Sequence, residues 1–209
     1  MRLMMIYLIS LLTFVTTNLY GAASTKTILV MGDSLSAGYG IDPALGWVNL
    51  IQQKLSAAAS KNQSWNMING SVSGETSSGG LARLDGLLKA HHPEIVIIEL
   101  GANDGLRGQP IKLMQQNLQA MIAASKTSGA KVLLLGMQIP SNYGARYTGE
   151  FKQTFQTLAD KNNIPLVPFM LTGVAANPEY IQSDGLHPNV IAQPIIVNNI
   201  WPTLEKMLQ

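Results

Sequence analysis

Ser34 lies in Gly32-Asp33-Ser34-Leu35-Ser36, directly after the apolar run 27–31. A serine hydroxyl is a weak nucleophile until a base takes its proton, so its meaning depends on whether the chain supplies one. Only three histidines are present. His91 and His92 precede Pro93 at the end of a helical stretch, where imidazole suits the helix dipole, and they read as solvated caps. His187 stands instead in Ser183-Asp184-Gly185-Leu186-His187-Pro188-Asn189. Asp184 precedes it by one turn of chain, so a carboxylate can hold one ring nitrogen while the other faces a hydroxyl. Acyl transfer to such a serine also needs donors for the oxyanion of the tetrahedral intermediate. Gly74, in Gly70-Ser71-Val72-Ser73-Gly74-Glu75-Thr76, can bring its N–H close to a ligand because no side chain intervenes. Asn103, in Gly101-Ala102-Asn103-Asp104-Gly105, offers a side-chain N–H. Taken singly, each residue has an ordinary explanation as a turn serine, a turn glycine, a loop-capping asparagine, a loop acceptor or a surface histidine.

The set becomes informative once the elements that carry it are placed. Short β-prone apolar runs at 27–31, 65–68, 95–100, 132–135 and 165–167 alternate with helical stretches at 47–59, 77–90, 111–128 and 150–161. A last helix is expected over 190–208, bent or broken by Pro194 and Pro202. Leu81, Leu84, Leu87 and Leu88 recur at helical spacing, as do Leu113, Leu118, Met121 and Ile122. Strands apolar throughout, each followed by a helix, predict a single α/β domain: a three-layer sandwich around a five-stranded parallel sheet. In such a sheet reactive groups collect beyond the carboxyl ends of the strands. Ser34, Gly74 and Asn103 follow the first, second and third runs, and Asp184 with His187 lies between the fifth and the last helix. His91 and His92 belong to the opposite edge.

The order serine, glycine, asparagine, aspartate with histidine resembles the SGNH hydrolases, also called the GDSL esterase and lipase family, from about Thr27 to the end of the chain. The branch it resembles is that of bacterial acyl-CoA thioesterase I, lysophospholipase and arylesterase. Gly79-Gly80-Leu81-Ala82-Arg83-Leu84, the stretch from Gly101 to Gly108, and Asn142-Tyr143-Gly144 are similar to that branch as well. The resemblance implies a flavodoxin-like sheet, with Ser34 as nucleophile and first oxyanion N–H, Gly74 as second donor and Asn103 as third. It makes His187 the general base and acid, Asp184 its orienter and Asp33 a support for the loop, and it implies no metal and no cofactor. Two departures are visible. Glu75 stands where aspartate is expected, and Gly101-Ala102 replaces Gly-Gly, which is expected to stiffen the loop carrying Asn103. The implied activity is hydrolysis of acyl esters or thioesters (acyl-CoA, lysophospholipid, aryl ester) through an acyl-enzyme. Leu106, Met137, Ile139, Pro140 and Tyr143, in loops after the third and fourth strands, are expected to wall an acyl groove, the alternative being that they cover the sheet edge. The competing functions are a carbohydrate acetyl-esterase of the same fold and a non-catalytic ligand-binding α/β module.

The whole chain narrows these readings. It has 209 residues, 46% hydrophobic and 12% charged, with net charge +2. Arg2, the apolar run 3–15 and the small residues Gly21, Ala22 and Ala23 have the three parts of a secretory signal peptide, assigned to 1–23. The run is too short and too often interrupted for a membrane helix. The expectation is therefore a catalytic domain at 24–209, monomeric, periplasmic or secreted from a bacterium, with a small-molecule ester as its partner. A nearly neutral balance gives no electrostatic case for nucleic acid. The absence of cysteine excludes disulfides, thiolate metal sites and a cysteine nucleophile. After the first strand no Gly-x-Gly-x-x-Gly occurs, which disfavours a dinucleotide site. Ser36 stands where the Gly-x-Ser-x-Gly of the α/β-hydrolases requires glycine.

Overall fold

A strand covered on both faces is apolar along most of its length, and the central runs meet that demand over residues 28–31 and 95–98. In the computed structural model, which describes residues 24–59, 63–175 and 177–209, they form β1 (Ser24–Gly32), β2 (Gln63–Asn69), β3 (Ile95–Glu99), β4 (Lys131–Leu135) and β5 (Leu166–Val167). All four pairings are parallel and the order is β2-β1-β3-β4-β5. Val30 is in register with Asn69 on one side and Ile97 on the other. Ile28, Leu29, Val30 and Met31 are wholly buried, as are Ile95 to Ile98. The proposed signal segment 1–23 lies outside the described residues.

Two helical layers cover the sheet. Helices α2 (Trp47–Ala57) and α7 (Gln193–Met207) pack together, while α3 (Ser77–His91), α5 (Ile111–Thr127) and α6 (Ala145–Asn162) form a second contiguous set. Gln193 ties the first pair, its Oε1 accepting the Trp47 N–H at 3.0 Å. Two short helices, α1 (Ser34–Ala37) and α4 (Ala102–Leu106), sit directly at the carboxyl ends of β1 and β3.

Three differences from the sequence expectation have physical reasons. Helix α6 starts five residues before the expected 150, across Gly149. Its first turn is held by tertiary contacts, among them Tyr147 donating its hydroxyl to the Gln109 carbonyl at 2.8 Å. Before α7 the chain makes a short 3-10 turn, Val190–Ala192. Pro194 then falls in the first helical turn, where its missing N–H costs nothing. Pro202 lies inside the helix without ending it; the carbonyl it leaves unbonded belongs to Asn198, an exposed residue that water can reach.

Candidate active site

The chain leaves β1 through Asp33, whose Oδ1 accepts the Leu35 N–H at 3.0 Å and caps α1. That cap turns Ser34 away from the sheet at the first helical position, half-buried. His187 arrives from the loop preceding α7, and its Nε2 lies 2.9 Å from Ser34 Oγ. Its Nδ1 is 2.7 Å from Asp184 Oδ2, so the carboxylate fixes the tautomer that leaves Nε2 free to accept the serine proton. The other oxygen, Oδ1, accepts the N–H groups of Leu186 at 2.9 Å and His187 at 3.0 Å. Those backbone donors, first that of His187 and then that of Leu186, together with the ring, hold the Asp184 carboxyl down at about 2. It therefore stays an anion wherever the imidazole is neutral.

The histidine loop is stitched to the serine loop by Gln182. Its N–H donates to the His187 carbonyl at 2.7 Å, and its Nε2 donates to the Tyr39 carbonyl at 2.8 Å and the Pro188 carbonyl at 3.0 Å. The Tyr39 ring lies beside the imidazole, with centroids 4.5 Å apart.

Two further loops converge on Ser34. Gly74 has φ 78°, a left-handed conformation that favours glycine. Among the described residues neither its N–H nor that of Ser34 donates to a protein acceptor. Asn103 rides on α4, which begins after Gly101 at φ 116°, where a Cβ would lie 2.9 Å from Met114 Sδ. Ala102 is the first residue of α4, so alanine replaces glycine where a helix favours it. The helix is anchored by Asp104, a buried acid that accepts the Ser77 N–H at 2.8 Å and the Ser77 hydroxyl at 2.5 Å. Glu75 reaches back to Arg83 Nε at 2.7 Å over Gly79, whose missing side chain makes room for it. The longer acid thus braces the loop outside the reacting groups. Asn103 Nδ2 donates to Asp33 Oδ2 and to the Glu75 carbonyl, both at 3.0 Å.

These groups open onto a cavity of ≈ 360 Å³. Ser34, Gly74, Asn103 and His187 line it, and Leu106, Met137, Ile139 and Pro140 form its apolar side. Tyr143 does not line it. Tyr143 instead braces the wall from outside, donating its hydroxyl to the Leu106 carbonyl at 2.7 Å. Leu35, Leu171 and Leu186 also line the cavity and were missed. Leu35 and Leu186 are sequence neighbours of Ser34 and His187, which was a usable signal; Leu171 comes from the turn after β5, which carries none. His91 ends α3 and His92 caps it at the opposite edge of the sheet, as expected.

The model of the GDSL-like lipase/acylhydrolase family matches residues 30–193. Esterase TesA of Pseudomonas aeruginosa is 47% identical over 186 residues, covering 89% of this chain and 91% of that protein. Thioesterase 1/protease 1/lysophospholipase L1 of Escherichia coli is 40% identical over 190 residues, covering 91% of this chain and 86% of that protein. A structure of the psychrotrophic esterase EstA from a Pseudoalteromonas species, inhibited by monoethylphosphonate, superposes with a TM-score of 0.82 at 44% identity, covering 88% of this chain and 98% of that one. With a family match running from β1 to the start of α7 and relatives similar over nearly their whole length, the chain belongs to the GDSL-like lipase/acylhydrolase family.

Proposed function

We propose that the chain hydrolyses acyl esters and acyl thioesters through an acyl-enzyme on Ser34. The observation that carries this reading is the linked pair of contacts Ser34 Oγ to His187 Nε2 at 2.9 Å and His187 Nδ1 to Asp184 at 2.7 Å, on the wall of an apolar cavity. Ser34 Oγ attacks the acyl carbon as its proton passes to His187 Nε2, and Asp184 stabilises the imidazolium. The carbonyl oxygen becomes an oxyanion received by the N–H groups of Ser34 and Gly74 and by Asn103 Nδ2. Collapse expels the alcohol or thiol, which takes the proton from His187. Water, deprotonated by the same nitrogen, then releases the acid and regenerates Ser34. Esterase and thioesterase names among the relatives support both leaving groups. A binding module without catalysis is disfavoured because it has no use for a serine, histidine and aspartate in line.

The acyl chain fits along Leu106, Met137, Ile139 and Leu171. Each methylene taken from water there contributes about 0.8 kcal/mol, roughly fourfold in kcat/KM when the contact persists in the transition state. p-Nitrophenyl esters from acetyl to octanoyl should therefore show kcat/KM rising by one to three orders of magnitude before levelling, on the order of fourfold per methylene at most. Leu106→Ala should flatten that slope more than it lowers acetyl hydrolysis. Leu106 is the test position because it is only partly buried, whereas Ile139 is buried against Gly105 and its replacement would disturb the core. A profile that peaks at acetyl would favour deacetylation of a polar substrate such as a carbohydrate.

We further propose export as a periplasmic or secreted monomer after loss of 1–23. Among the described residues no helix is long and apolar enough to cross a membrane, and β1 begins at Ser24, so cleavage after Ala23 leaves the sheet whole. Intact mass of periplasmic protein should correspond to a chain starting at or near Ser24; a full-length, membrane-bound product would overturn export in this form.

A further inference from the structure

Two carboxyl groups lie under the serine loop, and the mechanism above uses neither as a proton carrier. Glu99, the last residue of β3, is wholly buried. Its Oε2 accepts the Ser36 hydroxyl at 2.5 Å and the Asp33 N–H at 3.2 Å, while its Oε1 is buried without a partner among the described residues. Asp33 is buried beside it, with one oxygen capping α1 and the other on Asn103. Both neighbours of the Asn103 amide, the Asp33 carboxylate and the Glu75 carbonyl, are acceptors, which settles that Nδ2 faces them. Both of its hydrogens are thus engaged in the resting site, and a developing oxyanion has to take one over. The Glu75 carbonyl is a neutral acceptor, and hydrogen bonds to a charged group are roughly twice as strong. The bond to Glu75 is the one exchanged for the oxyanion, and the bond to Asp33 is kept.

We propose that Asp33, seated on the buried Glu99 carboxylic acid, is a positioning residue that holds the Asn103 amide by one hydrogen while the other turns from Glu75 to the oxyanion. The proposal rests on the reading of Asn103 as an oxyanion donor. It requires one proton on the acid pair, held by Glu99, because two adjacent anions beside a forming oxyanion would repel it and each other. Burial, reinforced by the Asp33 charge, raises the Glu99 carboxyl well above the ordinary range. Burial also lifts Asp33, to about 6, against the pull of the Leu35 N–H, the His187 charge and the Asn103 amide, with Asp104 adding to the rise. The charged and titratable groups facing Asp33 are thus Glu99 on β3, Asp104 on α4 and His187 before α7. Asp33 accepts from Asn103 most strongly as a carboxylate, so the contact is at full strength above about pH 6 and weakens as Asp33 protonates below it.

The test is a double-mutant cycle read in kcat. Asparagine caps a helix as well as aspartate does, so Asp33→Asn keeps α1, but with an amide in place of one acceptor oxygen. Asp33→Asn should lower kcat about 10- to 100-fold with KM little changed, and Asn103→Ala about 10²- to 10³-fold, the usual loss for one oxyanion donor. Because Asp33 acts through Asn103, the double variant should be no slower than Asn103→Ala within about threefold, a non-additive result. Between about pH 6 and the acid end, log kcat/KM should fall more steeply in the wild type than in Asp33→Asn, which lacks the carboxyl that protonates at about 6. Labelling by a fluorophosphonate probe and unchanged thermal melting establish that each variant is folded. Losses that multiply in the double variant, or Asp33→Asn with wild-type kcat and acid slope, overturn the proposal. An Asn103→Ala variant with full activity is distinguishable from both and instead removes the oxyanion reading on which it rests.

Discussion

Ser34→Ala should lower kcat by about 10⁶-fold while leaving the fold intact, the loss that follows removal of a nucleophile whose triad acts as a unit. The magnitude follows from what remains. The variant keeps the N–H groups of Ser34 and Gly74, Asn103, and the cavity, which together leave roughly 10³- to 10⁴-fold over water. It has no atom on which an acyl group can rest, so no burst of alcohol precedes the steady state. Loss of one half-buried hydroxyl leaves no unsatisfied buried group behind, since His187 Nε2 faces the cavity, and the melting temperature should be unchanged. A fluorophosphonate should modify the wild type at Ser34 alone. Ser36, two residues on, is buried with its hydroxyl on Glu99 and beyond reach of any histidine contact. Ser73 is the competing candidate, because it also lines the cavity. Labelling of Ser73, or of the Ser34→Ala variant, would show that the wrong serine has been chosen.

The sheet was legible in the sequence because its central strands each hold a run of four consecutive apolar residues, 28–31 and 95–98, flanked by helical stretches. Helix ends were less so: Gly149 masked the first turn of α6, which depends on Tyr147 reaching a carbonyl 38 residues away in the chain. The meeting of Ser34, Asp184 and His187 was legible because they lie beyond strand ends in order, and position beyond a strand is a topological property that sequence order carries. What supports them was not. Glu99 reads as an ordinary strand-end acid, and only the packing of β3 beside β1 puts it beneath Ser36. Gln182 reads as a surface residue until Tyr39, 143 positions earlier, is brought to its amide. Tyr143 was placed in the right loop, but its phenol turns to the Leu106 carbonyl rather than into the cavity, because sequence position fixes the loop and not which way a phenol turns.

His187→Ala should cost almost as much as loss of the nucleophile, on the order of 10⁵- to 10⁶-fold in kcat, because Ser34 is left without a proton acceptor. His91→Ala should stay within about threefold of wild type, since a side chain at the far end of α3 touches none of the reacting groups. Equal activity in the two variants would mean that the base has been misassigned. Asp184→Asn separates holding the ring from taking the proton. An amide can present its N–H to Nδ1 and stabilise the tautomer protonated on Nε2, which cannot accept from Ser34, and a loss of about 10⁴-fold is expected. The pH dependence distinguishes these roles. Asp184 is held at about 2 by the backbone N–H groups of His187 and Leu186, so its charge is present throughout the neutral range and is lost only as the pH falls through that value. The acid limb of the wild-type profile therefore cannot come from Asp184 and has to come from groups that protonate at higher pH, among them Asp33, lifted to about 6 by burial. If the acid limb survived unchanged in the residual activity of His187→Ala, the imidazole would not be the group whose neutral form drives the attack.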